Sequence, residues 1–222
     1  MIMKVQVTRK HVKNLTIKIA DDQNVFVVAP VNMSVEVIKG FLDKKSAWIS
    51  SKIEQKQQVK QNNIDLFLKR AVLINGREYK VVSGNVPNIC TVDGKIIVPQ
   101  QKCIDDVVLG KELAKYMLSI AKSVLPKYVA AWGTKMSLCP TAINVKNLKS
   151  KWGSCNGNGE IVLNAKLIQV PENIIHYVVV HELCHLKNLN HSKAFWDSVK
   201  YYLPDYLNLR KKLSEYDFLI TL

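Results

Sequence analysis

Hydrophobic and polar residues alternate with a period of two near the N-terminus of the chain. The alternation runs in segments through residues 3–30, with a polar stretch at residues 21–24 between the last two segments and Pro30 at the end. A period of two is typical of β-strands with one buried face, and a polar stretch between two such segments indicates a turn. We therefore predict antiparallel strands in this region.

The pattern changes to a helical period after Ser34, a residue suited to cap a helix. Apolar side chains then recur at helical spacing from Val37 to Ile53, and the polar tail at residues 54–63 indicates a solvated end or linker. Two dipeptides typical of β-hairpins follow, Asn75-Gly76 and Asp93-Gly94, each between apolar runs. Residues 1–103 are thus predicted to form an antiparallel β-rich domain with one helix.

A second region begins near Asp105, where the period becomes helical and stays so to about Met136, with Pro126 inside the helix. Two short apolar runs, near residues 142–145 and 160–163, predict strands on either side of a loop. Further helices are predicted from Pro171, after Ser192 and from Asp205. We expect a mostly helical domain with a small sheet over residues 104–222, and so an α+β fold class.

Composition narrows the class of protein. The chain has 222 residues and 48% hydrophobic content, enough for a substantial core. No run approaches the roughly 20 apolar residues of a membrane span, and the first residues lack the apolar core of a signal peptide. Five widely spaced cysteines, an odd number without a C-x-x-C pair, favour reduced thiols. We therefore expect a cytoplasmic protein that does not bind membranes.

The net charge of +14 is large for this length. The excess is heaviest in residues 1–70, which hold 13 Lys and Arg against 6 Asp and Glu. It suggests weak, salt-sensitive binding of nucleic acid or nucleotides. We favour the alternative, a solvated basic surface, because no basic run is interleaved with aromatic residues.

The strongest chemical signal is the pattern H-E-x-x-H at residues 181–185. On a helix, residues four apart lie on one face, so His181 and His185 can bind one cation. Glu182 lies beside them and can take a proton from a water on that cation, as the general base of a zinc hydrolase. Cys184 projects off the ligand face and is predicted to pack in the core.

A third ligand is needed, because catalytic zinc usually has three protein ligands and an open position. His191 is our candidate, brought back by a turn in which Asn188 or Asn190 adopts the left-handed conformation. Asp197 competes with it and is predicted to orient a ligand imidazole instead. His176 is predicted to start or pack the helix, with a lesser chance of supporting a ligand.

Nearly the whole chain resembles the YgjP-like metal-dependent hydrolases, relatives of the SprT-like and WLM zinc proteases. The matching motifs are Trp152-Gly153-Ser154-Cys155, Leu163-Asn164, Pro171, His181 to His185, Asn190-His191-Ser192 and Phe195-Trp196. The resemblance implies a zincin-like catalytic domain. It also departs at Lys151, where the family pattern has Arg, so a bidentate contact at that position is in doubt. In such folds an edge strand binds the extended substrate; if the strand near residues 160–163 does so, Asn164 and the neighbouring lysines would face the cleft.

Three functions follow from these patterns. The first is a metallopeptidase that uses Zn²⁺, or another divalent transition metal, to hydrolyse peptide or protein substrates, with Tyr177, Lys151 or Tyr202 as candidate oxyanion donors. The resemblance implies a second, a nucleotide pyrophosphatase acting on UTP at the same centre. The third is a nucleic-acid-associated protein with a structural metal, which leaves Glu182 without a purpose.

Overall fold

The computed structural model describes residues 5–20, 24–103 and 105–220. The contacts within the chain divide it into two compact units, Met1–Asn62 and Asn63–Leu222. Both contain helices and sheets, and the α+β class predicted from the sequence is confirmed. The domain boundary predicted between residues 103 and 104 stays a prediction, because compactness does not test independent folding.

The first unit contains a three-stranded sheet in the order β1-β3-β2. Its strands are β1 (Val5–Lys10), β2 (Thr16–Ile19) and β3 (Val25–Pro30). β2 and β3 are antiparallel, but β1 pairs with β3 in parallel, so the fully antiparallel prediction is wrong here. β3 lies between β1 and β2. Each strand runs opposite to the one before it in the chain, so β1 and β3 point in the same direction. The turn predicted at residues 21–24 lies largely outside the described residues.

Two helices follow these strands where the sequence predicted one. Ser34 caps α1 (Val35–Lys44) through its hydroxyl, and α2 (Ser46–Leu68) begins two residues after α1 ends. Buried Ile38 and Ile49 pack with the inward-facing residues of β3. α2 continues through residues 54–63, which the sequence predicted as a solvated end or linker.

The second unit begins with a four-stranded sheet in the order β4-β5-β7-β6. Its strands are β4 (Ala71–Ile74), β5 (Arg77–Gly84), β6 (Cys90–Val92) and β7 (Lys95–Pro99). Both predicted hairpins are confirmed by positive φ angles, 49° and 74° at Asn75-Gly76 and 46° and 70° at Asp93-Gly94. The two hairpins join through β5 and β7 in parallel, so this sheet is also mixed.

The tip of the first hairpin docks on the segment that leads into the H-E-x-x-H helix. The backbone amides of Asn75 and Gly76 donate to the carbonyls of Ile168 and Gln169, at 2.7 and 2.9 Å. A β-carbon at Gly76 would stand 2.6 Å from the ring of Pro171. Turn chemistry and close approach therefore both require glycine at residue 76, and the hairpin supports the start of the helix.

The long helix α3 (Asp106–Met136) begins near Asp105, as the sequence predicts, and Asp105 caps it. A three-stranded sheet follows in the order β8-β10-β9, made of β8 (Ala142–Lys146), β9 (Gly153–Cys155) and β10 (Glu160–Asn164). β9 lies within the predicted loop and covers one edge of β10. β10 is therefore central, and the prediction that it forms a substrate-binding edge is wrong.

Three helices complete the chain, α4 (Glu172–Cys184), α5 (Lys193–Tyr202) and α6 (Tyr206–Ser214). α4 carries the H-E-x-x-H pattern and contacts α3, α5, α6 and β9. In the described part of the chain, no helix combines the length and apolar content that crossing a bilayer requires.

Candidate metal centre

The C-terminal end of α4 presents two imidazoles on one face. His181 lies in the last turn of the helix, and His185 is the residue that caps it. Their ring centroids are 4.9 Å apart, as the four-residue spacing predicts. His185 is 7% exposed, so the cluster begins in the core and opens towards the surface.

The chain leaves α4 through tight turns that return His191 to the same place. The amides of Leu186 and Lys187 donate to the carbonyls three residues earlier, at 3.1 and 3.2 Å. These turns are right-handed, and neither Asn188 nor Asn190 has a positive φ. The prediction of a left-handed asparagine is therefore wrong, because the helix tightens into 3₁₀-type turns instead of reversing.

Asn188 has a different function in this turn. Its backbone carbonyl lies 2.9 Å from Nδ1 of His185. With the Nδ1 proton donated to that carbonyl, the tautomer of His185 is fixed and Nε2 is free to bind a cation.

The three histidines converge. Ligand atoms of His181, His185 and His191 all lie within 4.8 Å of one another, and no other such cluster of His, Cys, Asp or Glu occurs among the described residues. The Nε2 atoms of His181 and His191 are 3.1 Å apart. Two nitrogens bound tetrahedrally to zinc at about 2.0–2.1 Å lie about 3.3 Å apart, so the spacing fits one ion.

Aromatic side chains of α5 hold the three imidazoles from one side. Ser192 caps α5 as predicted, accepting from the amide of Phe195. The fully buried Phe195 ring lies 4.4 Å from His185, 4.8 Å from His191 and 4.9 Å from His181, measured between centroids. Because one rigid ring touches all three histidines, their positions depend on the packing of α5.

The protonation states of His181 and His191 also suit a cation. Burial, together with the neighbouring His185 and His191, lowers the pKa of His181 to about 3. Burial likewise lowers the pKa of His191. Neutral imidazoles are the form that binds metal, so protons compete weakly for this site.

Glu182 is a buried carboxylate without an ionic partner. It is 5% exposed, its Oε2 has no hydrogen-bond partner, and it forms no ion pair within the described part of the chain. Burial raises its pKa to about 7, against the opposing effect of the Lys151 charge. A buried acceptor is costly when unpaired, and such groups concentrate at catalytic sites.

Gly153 of β9 makes room for this carboxylate. A β-carbon at residue 153 would stand 2.7 Å from Oε1 of Glu182 and 2.9 Å from its carboxyl carbon. The missing side chain of Gly153 is therefore what lets the strand and the carboxylate lie side by side.

The loop before β9 is fixed from behind by Asn164. This residue is fully buried, and its Nδ2 donates to the carbonyls of Leu148 and Lys151, each at 2.9 Å. The prediction that Asn164 faces a cleft is wrong, because the side chain is buried and its amide group donates both of its hydrogen bonds to carbonyls of the loop. Trp152 in the same loop donates from Nε1 to Asp217 at 3.0 Å, which ties the loop to the C-terminal segment.

Two other sequence candidates are engaged elsewhere. Asp197 accepts from Lys193 Nζ at 2.6 Å, an i,i+4 pair on the exposed side of α5, so the prediction that it orients a ligand imidazole is wrong. His176 accepts at Nδ1 from the indole of Trp132 at 2.8 Å, which joins α4 to α3. Helical rotation explains the outcome for His176, which lies five residues before His181 and so on a different face of α4.

The candidate oxyanion donors lie in different surroundings. Tyr177 is 3% exposed with its ring 5.9 Å from that of His181, and burial raises its pKa to about 12, so the phenol keeps its proton. The positive charge of Lys151 acts to lower the pKa of Glu182, against the effect of burial. Tyr202 lines a pocket on another side of α4 together with Cys184 and Asp197.

The two cysteines near the motifs are not activated. Cys184 is buried as predicted, and burial raises the pKa of its thiol to about 11. Burial and the charge of Glu182 raise the pKa of Cys155. Neither thiol is ready to act as a nucleophile at neutral pH.

Sequence reasoning missed Arg210. Its guanidinium carbon lies 5.1 Å from the ring centroid of Trp196, and Trp196 stacks on His191 at 5.5 Å. The only sequence signal was a cation on a predicted C-terminal helix, and nothing in the pattern connected that helix with the histidines.

Comparison with known proteins gives a family match and partial similarities to solved structures, two of which are described below. The model of the family described as YgjP-like, metallopeptidase domain matches residues 13–216. Two solved structures share similarity with part of the chain, the metallopeptidase zymogens abylysin of Pyrococcus abyssi and jannalysin of Methanocaldococcus jannaschii. They are 20% and 22% identical, with TM-scores of 0.38 and 0.37; each match covers 40% of this chain, and 91% or 92% of the other. No curated protein sequence matches the chain.

Proposed function

The chain belongs to the YgjP-like metallopeptidase family, and from that premise we propose that it is a zinc-dependent peptidase. Metal-dependent hydrolysis is the activity that the membership supports. Peptide bonds as the substrate, zinc as the metal and Glu182 as the base are our more specific proposals.

One relationship carries the proposal. Three imidazoles lie with ligand atoms within 4.8 Å of one another, and the residue after the first of them is a buried carboxylate with an unpartnered oxygen. A structural zinc site is normally closed by four protein ligands. Three ligands beside a general base instead favour catalysis.

The donor set favours zinc. Neutral imidazole nitrogens bind zinc well, although nickel or manganese could occupy the same three ligands. When bound, the cation would supply Lewis acidity, which acidifies water and polarises a substrate carbonyl.

Glu182 would perform the proton transfers. Its carboxylate accepts the proton of the attacking water and can later donate it to the leaving amine. In the metal-free protein burial raises the pKa of Glu182 to about 7, which favours a group able to both accept and donate a proton near neutral pH. Gly153 keeps the carboxylate in place by leaving the space that its Oε1 occupies.

We propose that an extended peptide binds along β9. β9 pairs with β10 on one side, and no described strand pairs with its other side. An exposed edge can accept a peptide through backbone hydrogen bonds. The contact between Gly153 and Glu182 would bring such a peptide next to the base.

Hydrolysis of UTP is the competing activity, favoured by the charge of Lys151 beside Glu182.

We also keep the cytoplasm as the proposed location, supported by five cysteines that are all free. Weak binding of nucleic acid stays a proposal based on net charge alone.

The test compares wild-type protein with Glu182→Gln and, as a control on the exposed surface, Glu215→Gln. Each protein is loaded with zinc, its metal content is measured, and it is incubated with denatured casein and, separately, with UTP. We expect casein fragments from wild type and Glu215→Gln, and at least about a hundredfold slower cleavage by Glu182→Gln with zinc retained. Undiminished casein cleavage by Glu182→Gln, or hydrolysis of UTP alone, would reject the proposal.

A further inference from the structure

Arg210 of α6 rests on the aromatic side chains that support the metal ligands. Its guanidinium carbon lies 5.1 Å from the ring centroid of Trp196. Trp196 stacks on His191 at 5.5 Å and on Tyr206 at 5.4 Å, and lies 5.8 Å from His181. One ring therefore separates the guanidinium from two of the three ligands.

The charge of Arg210 reaches the candidate site. α6 packs against α4, the helix that carries His181 and His185, and the ring of Trp196 connects the guanidinium with His191. A cation on α6 is thus part of the electrostatics of the metal centre.

No carboxylate of the described chain neutralises this cation. Arg210 is exposed and takes part in no ion pair among the described residues, whereas two other cations of the second unit are paired, Lys193 with Asp197 and Arg70 with Asp106. The guanidinium of Arg210 stacks on the ring of Trp196. This contact uses the flat face of the guanidinium and leaves the N–H donors along its edge available.

An unpaired cation at this position opposes the binding of a second cation by the histidines, because like charges at short range repel. A bound anionic group would remove that conflict and use the free donors of Arg210. The planar fork of a guanidinium matches a carboxylate through two parallel hydrogen bonds.

We propose that Arg210 is a substrate-binding residue that takes a carboxylate of the peptide. Resting on the proposed peptidase function, this assigns a preference for peptides with an acidic side chain or a free C-terminal carboxylate beside the scissile bond. The two sources share one chemistry, and the probes below separate them.

Binding is measured in zinc-loaded Glu182→Gln protein, so that turnover does not enter the result. Three fluorescein-labelled peptides serve as probes: alternating Glu and Ala with an amidated C-terminus, alternating Gln and Ala with an amidated C-terminus, and the Gln peptide with a free C-terminal carboxylate. The substitutions compared in this background are Arg210→Gln, Arg210→Lys and Lys212→Gln. Lys212 is an exposed cation of the same helix, two residues on and so on a different face, and losing it changes the net charge equally.

We expect Arg210→Gln to weaken binding of at least one carboxylate probe by about tenfold or more, as removal of a charged hydrogen bond implies. The amidated Gln peptide should bind within about twofold of its original affinity, since neutral contacts are unaffected. The affinity of Arg210→Lys for the carboxylate probes should lie between those of the parent protein and Arg210→Gln, because lysine keeps the charge but lacks the planar guanidinium. Lys212→Gln should behave nearly as the parent.

Equal losses from Arg210→Gln and Lys212→Gln would overturn the proposal in favour of general charge attraction, as would the absence of binding by all three probes. A loss confined to UTP, measured by competition, would assign Arg210 to phosphate and also overturn it. If Arg210→Gln does not fold, Arg210→Lys decides: unchanged affinity for both carboxylate probes rejects the assignment. Discrimination between the probes without any casein cleavage would leave Arg210 as a carboxylate site while the peptidase function fails.

Discussion

Gly153 and Glu182 lie so close together that a β-carbon on residue 153 would stand 2.7 Å from Oε1 of the carboxylate. The two residues are far apart in sequence, one in a short edge strand and the other in the helix that carries the histidines. Their contact fixes where the proposed base lies relative to the strand along which a peptide would bind.

Gly153→Ala tests this contact. The new methyl group should displace the carboxylate and reduce casein cleavage by at least about tenfold, because misplacement of a catalytic group by an ångström is costly. Zinc content should stay the same, since the three ligands are not touched. Gly157→Ala, in the turn after β9, is the control, because nothing lies within 4 Å of its added β-carbon. Equal activities of the two variants would contradict the role given to Gly153.

His191→Ala tests the third ligand. We expect zinc affinity to fall by more than the roughly 10–100-fold typical of losing a group that only supports a ligand. Competition with a chromogenic chelator measures the affinity. His11→Ala removes an exposed histidine far along the chain and should leave the affinity unchanged. A similar small change in both variants would mean that His191 does not bind the ion.

The buried carboxylate predicts a pH dependence of stability in the metal-free protein. The pKa of Glu182 is about 7 when folded and near 4.5 ordinarily, so the folded state keeps a proton that the unfolded state releases. The resulting stability is complete below pH 4.5 and is lost as the pH rises to about 7, at about 1.4 kcal/mol per pH unit.

Urea unfolding in the presence of a chelator, at pH values across this range, measures the effect. Glu182→Gln is neutral at every pH, so its stability relative to wild type should increase from acid to neutral pH and then level off. Parallel pH profiles for the two proteins would show that Glu182 does not titrate in this way.

Asn164→Asp tests the support of the loop before β9. The substitution preserves shape but replaces the amide donor with a carboxylate that faces the carbonyls of Leu148 and Lys151. Two buried acceptors then lose their donor, which should cost about 3 kcal/mol of unfolding free energy or more. Denaturant unfolding measures it. Asn158→Asp, at an exposed position nearby, should change stability by less than about 0.5 kcal/mol.

Local rules were sufficient for several parts of the site. The four-residue spacing of His181 and His185 follows from helix geometry, and the Ser192 cap from the chemistry of an exposed helix start. The hairpins at Asn75-Gly76 and Asp93-Gly94 follow from the left-handed conformation that these residues tolerate. Each rule involves residues within a few positions of one another.

The α+β class, the main helices and the candidate ligand set could be predicted from the amino-acid sequence, because periodicity, caps and turn residues act over short distances. Long-range packing sets four other features: the parallel pairing of β5 with β7, the central position of β10, the approach of Gly153 to Glu182 and the location of Arg210 over Trp196. These contacts join segments distant in the chain, and which surfaces meet depends on how all elements pack at once rather than on any local pattern.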